Sequence, residues 1–206
     1  MNILNQLKSR TIPSLESILD FILEYDYPIT KHPLGFYCCK VTEDSENENI
    51  RIHFWLRENC EQKGFEIHNH IFNLESFIID GIIKNTTYEI SNNHNDDIFH
   101  IFKTSYNNDK SYIYRDTNDE KLRVKNISIY SKDQKYALSF DDIHQSEVLT
   151  NKAVTLMYTK KISNHQPIVY SKINISELNF HRALLSRNEK IELIKIFKEC
   201  SSNALI

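Results

Sequence analysis

The sequence predicts a mainly β protein: an antiparallel β-sandwich or barrel with a helical segment at each end. Three observations carry this. About ten short segments rich in Ile, Tyr, Phe, Val and Thr follow one another through the middle of the chain. Polar turn-like clusters, "TEDSENEN", "SNNHNDD", "YNNDK" and "RDTNDEK", separate them. Helical periodicity occurs only before and after this stretch.

The N-terminal helix is expected in "TIPSLESILDFILEY". Thr11 is cap-like, Pro13 suits a first turn, and Leu15, Ile18, Leu19, Phe21 and Ile22 recur at helical spacing. The strands follow in order: "LGFYCCKV", "IRIHFWLR", "FEIHNHIF", "SFIIDGIIKNTTYEI", "IFHIFKTSY", "SYIYRD", "LRVKNISIY", "KYALSF", "AVTLMYTKK" and "PIVYSKI". "EDSENEN" reads as an exposed, mobile hairpin loop. In "SRNEKIELIKIFKEC", Ser186 and Glu189 have capping-box spacing, with Ile191, Leu193, Ile194 and Phe197 along one face. Together these suggest one domain over residues 1–206: a helical segment at 1–30, a β core at 31–175 and a helical segment at 176–206.

Composition narrows the function. The chain has 206 residues, 40% apolar and 26% charged, with a net charge of -3 and no basic stripe, so nucleic acid is not an expected partner. No apolar run reaches the roughly 18 residues that span a bilayer. "MNILNQLKSRTIPSLES" lacks a signal-peptide apolar core. Cys38, Cys39, Cys60 and Cys200 form no CxxC. Reduced thiols and a cytoplasmic location are expected.

The chemistry concentrates in "GFEIHNHIFNLESFIIDG", bounded by two of the chain's three glycines, Gly64 and Gly81. A strand sends alternate side chains to one face, placing the Cβ atoms of His68 and His70 roughly 7 Å apart on that face. Glu75 follows a bend, from where it can close on the same ion, and His144 in "SFDDIHQSEV" can supply a distant ligand. Three imidazoles and a carboxylate suit Fe(II), Mn(II), Ni(II), Cu(II) or Zn(II). His53 reads as a core or cavity histidine, and His94 as a solvated loop residue.

These residues resemble the first motif of the cupin superfamily: Gly64, His68, His70, Glu75 and Gly81, with two spacers shorter than usual. The second cupin motif is degenerate. Ser139 and Asp141 stand where Pro and Gly would, and His144 remains. The resemblance covers about residues 34 to 160 and implies a jelly-roll barrel. Within the superfamily, "IRIHFWLRENCEQKGFEIHNH" and "IHQSEVLTNKAVTLMYT" are similar to the cysteine dioxygenase type, whose three-histidine iron site would assign His68, His70 and His144 as ligands. That family's Ser-His-Tyr triad is replaced by Thr155, Met157 and Thr159, and Glu75 occupies the position of its crosslinking cysteine.

The expected function is therefore a mononuclear non-haem metal oxygenase, with Fe(II) first among the metals. It would act with O₂ on a small molecule such as an amino acid or a thiol or carboxylate compound. Glu75, Tyr158 and Arg57 are the candidate catalytic residues; Tyr88, Tyr112 and Tyr136 are further hydrogen-bond donors, and Arg51 a further anion clamp. The same residues would serve a Lewis-acid isomerase, epimerase or lyase, or a ligand-binding cupin. The resemblance also admits a homodimer paired through an edge strand, with "YCCKV" and "IFHIFK" as candidates.

Overall fold

The computed structural model describes residues 3–43, 48–57, 64–107 and 110–199. Helices α1 (Ile3–Lys8) and α2 (Leu15–Glu24) lead into β1 (Ile29–Lys31), β2 (Phe36–Glu43), β3 (Glu48–Leu56), β4 (Ile67–His68), β5 (Phe72–Asp80), β6 (Ile82–Ile90) and β7 (Asp97–Asn107). Then come β8 (Lys110–Ser131), β9 (Lys135–Leu138), β10 (Ile143–Val148), β11 (Lys152–Lys161), β12 (Ile168–Ser171), β13 (Glu177–His181) and α3 (Arg187–Lys198). The strands form two sheets whose pairings are antiparallel: a six-stranded sheet ordered β1-β2-β3-β11-β5-β9 and a seven-stranded sheet ordered β13-β8-β6-β10-β4-β12-β7. This is the mainly β antiparallel sandwich, with helices near both ends, that the sequence predicts.

The six-stranded sheet has two different faces, because side chains alternate along each strand. Ile52, Phe54, Ile79, Val154 and Leu156 face the helices and pack in one buried cluster with Ile18, Leu19, Ile22, Ile194 and Phe197. Each such fully buried side chain contributes about 1.5–3 kcal/mol of apolar burial. The intervening residues, Arg51, His53, Thr155 and Met157, line cavities between the sheets. The alternation in "IRIHFWL" is thus inverted from the usual arrangement: Ile50, Ile52 and Phe54 lie under helices, while Arg51 and His53, with Trp55, face inward.

Four expectations need correction. Helix α2 is capped by Ser14, whose side chain accepts from the Ser17 N–H, rather than by Thr11. Thr11 instead donates its backbone N–H to Gln6, closing the turn after α1. "RDTNDEK" is not a turn, because β6 and β7 run head to tail along β8 and pair with it on both sides of that cluster. Its polar residues form the ion pairs Lys103–Asp116 and Arg115–Asp119. The segment 176–206 is not purely helical: β13 adds to β8 before α3 begins. Nor is 1–30, since β1 starts at Ile29. The Ser186–Glu189 capping box is present. Cys38 and Cys39 are free thiols; Cys60, Cys200 and the tip of "EDSENEN" lie outside the described residues.

Gly81 joins β5 to β6 at φ +81°, and a Cβ there would stand 2.4 Å from the Lys152 carbonyl oxygen and 2.6 Å from the Ala153 Cβ. Gly81→Ala should lower the unfolding free energy by about 2–4 kcal/mol, clash and positive φ acting together. Gly64→Ala meets chiefly the mobile end of Ile173 and should cost less. Urea unfolding midpoints check the order; a Gly81→Ala protein as stable as the wild type would refute it.

Candidate metal centre

Three histidines meet between the sheets. His68 sits in the two-residue strand β4, which is hydrogen-bonded on both sides, with His144 of β10 directly opposite it and Val169 of β12 on the other edge. Cross-strand register therefore brings His68 and His144 together, their ring centroids 4.7 Å apart. His70 arrives differently. Strand β4 ends at His68, and a pinned bend replaces the expected alternation. The Asn69 N–H donates to the Ile168 carbonyl, the Ile168 N–H donates to Asn69 Oδ1, and the His70 N–H donates to the Phe140 carbonyl. The Phe72 ring then stacks on the His70 imidazole at 4.6 Å. One ring nitrogen from each histidine lies within 4.8 Å of the other two.

Second contacts fix which nitrogen faces inward. His68 Nδ1 lies 2.7 Å from the Glu66 carbonyl oxygen, which can only accept, so Nδ1 carries the proton and Nε2 keeps its lone pair. His144 Nδ1 lies 3.0 Å from Asn85 Oδ1, with the same result. His70 Nε2 stands 2.9 Å from His144 Nε2. That spacing suits two cis ligands of one ion with bonds of about 2.0–2.1 Å. Burial holds all three imidazoles below their ordinary range, and each of the three is neutral at pH 7. Neutral imidazoles with fixed tautomers are the form a metal requires. The donor set fits a divalent transition metal bound by His68, His70 and His144.

The structure separates Glu75 from this set. Strand parity puts Glu75 opposite Tyr158, on the helix-side face of β5 and β11, where its carboxylate is held by Arg10 and Lys135 at 2.5 Å each. Tyr158 shares that face. Its hydroxyl donates to the Leu7 carbonyl oxygen, and burial pushes the phenol up to about 12. Glu75 and Tyr158 thus belong to the seam between helix and sheet and not to the histidine cluster. Arg57 reaches the rim of the cavity, its Nη1 donating to the Leu149 carbonyl at 3.4 Å.

Two cavities flank the histidines and share His53, His68, His70 and Met157 in their walls. The first, about 480 Å³, also touches His144 and is lined by Trp55, Ser76, Tyr136 and Thr155. Trp55 Nε1 donates to Thr155 Oγ1 at 3.1 Å. The second, about 550 Å³, extends toward Arg51 and Arg182. Thr155, Met157 and Thr159, at the positions where the resemblance expects a triad, all line cavity walls. Tyr136 is buried at the first cavity, Tyr88 donates to Gln145 Oε1, and Tyr112 lies on β8 opposite Asn179. His53 is a cavity residue whose pKa burial takes down to about 3, the nearby Arg51 and Arg182 adding to the effect. His100 lies against Arg115 and Asp119. Asn85, missed in sequence, is two residues from Thr87, the partner of His144; only the register reveals its role.

Comparison by sequence finds no matching protein family and no matching curated protein. Among solved structures, the chain is similar to one described as "Crystal structures of DMSP lyases RdDddP and RnDddQII". The identity is 10% and the TM-score 0.36, over 64% of this chain and 51% of that one. The chain thus spans about half the length of that structure. A likeness at this level says nothing about chemistry. No helix among the described residues is long and apolar enough to cross a membrane.

Asn85→Ala should weaken metal binding by about 10–100-fold, because it frees the His144 ring to change tautomer. Glu75→Gln should leave metal stoichiometry unchanged. Equilibrium dialysis with Zn(II) and Fe(II) reads both, and the reverse pattern would place Glu75 at the metal. The metal-free protein should also lose stability as pH falls from 7 toward 5. His32, His53, His68, His70 and His144 have folded pKa values below their unfolded one, so the unfolded chain takes up the extra protons. Each withdraws up to about 1.4 kcal/mol per pH unit below about 6.5. Urea midpoints at pH 7.5 and 5.5 measure this, and His53→Gln should flatten the slope.

Proposed function

We propose that the protein is a cupin-type enzyme with a mononuclear three-histidine metal centre that oxygenates a small molecule. The supporting observation is the convergence of three neutral imidazoles beside a cavity, two of them, His68 and His144, with tautomers fixed by a second hydrogen bond. Fe(II), the metal we assign, would supply Lewis acidity and one-electron chemistry toward O₂.

The chain's own residues supply the rest. The Glu66 carbonyl and Asn85 Oδ1 hold the Nδ1 protons of His68 and His144 and so orient both rings. Leu74, Val148 and Met157 line the first cavity and limit water there. The Tyr136 hydroxyl, kept protonated by burial, is a proton donor in the same wall. Arg57 at the rim guides an incoming substrate.

Purified protein should carry one metal ion per chain by elemental analysis, and His144→Ala should lose it. Iron-loaded protein should consume O₂ with a subset of small thiols, amino acids or carboxylates. Failure of the wild type to bind any divalent transition metal would overturn the proposal. Stoichiometric zinc with no O₂ uptake for any substrate would move the reaction to Lewis-acid chemistry.

A further inference from the structure

The second cavity has an unusual charge balance. Lys40, Arg51, Lys161 and Arg182 line it, and no Asp or Glu does among the described residues. Elsewhere Arg10, Arg115 and Arg123 each sit against a carboxylate. Arg51 and Arg182 have none among the described residues. The Arg51 guanidinium lies over the Phe72 ring, 5.2 Å from its centroid. Arg182 Nε donates to Ser111 Oγ at 2.9 Å, and its guanidinium lies over the Tyr106 ring at 5.1 Å.

The fold brings these charges together at a cost. Lys40 and Arg51 are directly opposed on β2 and β3, so like charges share one face. Arg182 reaches the same cavity from the residue after β13. His32, His53, Cys38 and Tyr106 each feel the field of both guanidiniums. Phe65, Phe72, Ile113 and Phe180 in the walls keep the local dielectric low, which strengthens that field.

The cavity is also joined to the histidine cluster. Phe72 touches both groups: the Arg51 guanidinium lies over its ring and the His70 imidazole stacks on it. A molecule held by Arg51 therefore lies one aromatic ring from a candidate metal ligand. A volume of about 550 Å³ admits a small metabolite.

We propose that Arg51 and Arg182 clamp a small molecule carrying two negative charges, a dicarboxylate or a phosphomonoester, whose other end reaches His68, His70 and His144. Two guanidiniums without an acid leave two positive charges to be matched, which a dianion does and a neutral or singly charged ligand does not. That this dianion is the substrate rests on the metal-enzyme reading above; the anion site itself does not.

Titration calorimetry on metal-free protein at low salt tests the site, with malonate and inorganic phosphate as probes and malonamide and acetate as controls. At least one dianion should bind roughly tenfold or more tightly than acetate, and malonamide should not bind. Arg51→Gln and Arg182→Gln should each weaken that binding roughly tenfold or more, and Arg51→Lys should restore part of it. His144→Ala should retain it. Dianions binding no better than acetate, or binding both Gln variants as tightly as the wild type, would overturn the site. Thermal unfolding checks that each variant is folded. Should a Gln variant not fold, the dianion-to-malonamide comparison on the wild type and Arg51→Lys decides. Metal content is read in parallel. Anion binding without metal binding sinks the enzyme reading and keeps the site, and metal binding without anion binding does the reverse.

Discussion

The pairing of β4 with two neighbours at once is the constraint on which the site depends. A strand of two residues has almost no stability of its own, and its backbone is satisfied only because β10 lies on one edge and β12 on the other. That arrangement sets His68 against His144 and leaves the chain to turn immediately afterwards. The turn is fixed by Asn69, whose backbone N–H and side-chain oxygen both engage Ile168. His70 thereby leaves the strand and approaches the other two rings from a different direction. Three ligands on one regular strand face could not converge in this way; a strand edge, its partner and a bend can.

The second organising feature is the two-faced six-stranded sheet. Terminal helices α1, α2 and α3 cover one side and take Ile52, Phe54, Val154 and Leu156. The side facing the other sheet is therefore free to carry polar groups around cavities. Parity then decides role. Glu75 and Tyr158 fall on the helix side, where one balances Arg10 and Lys135 and the other ties β11 to α1. Arg51, His53 and Thr155 fall on the cavity side. Reactive residue types on both faces have been sorted by a period of two.

Electrostatically the interior is divided. Around the histidines, burial keeps imidazoles neutral, and the hydrogen-bond acceptors Asn85 and Glu66 are uncharged at the atoms in contact. Toward Arg51 and Arg182 the lining is cationic and acid-free. A neutral ligand set would leave a bound ion its full charge, and the cationic lobe would attract an anion. The acid that sequence spacing places beside the metal is instead spent on the outer seam.

The sequence by itself determined the strand-rich class, the amphipathic helices at either end and the capping box at Ser186, and it singled out His68, His70 and His144 among four candidate ligands. These are local properties: side-chain periodicity, turn composition and residue chemistry survive without knowledge of neighbours. It misjudged "RDTNDEK", because polar residues on a long exposed hairpin have the composition of a turn. It misjudged Glu75, because a motif spacing counts residues and does not record on which side of a bend the next strand emerges. Asn85, Arg182 and the division between cavity face and helix face were decided by tertiary structure alone. Their roles depend on strand order and on which face the helices cover, and a period-two pattern is identical whichever face is turned inward.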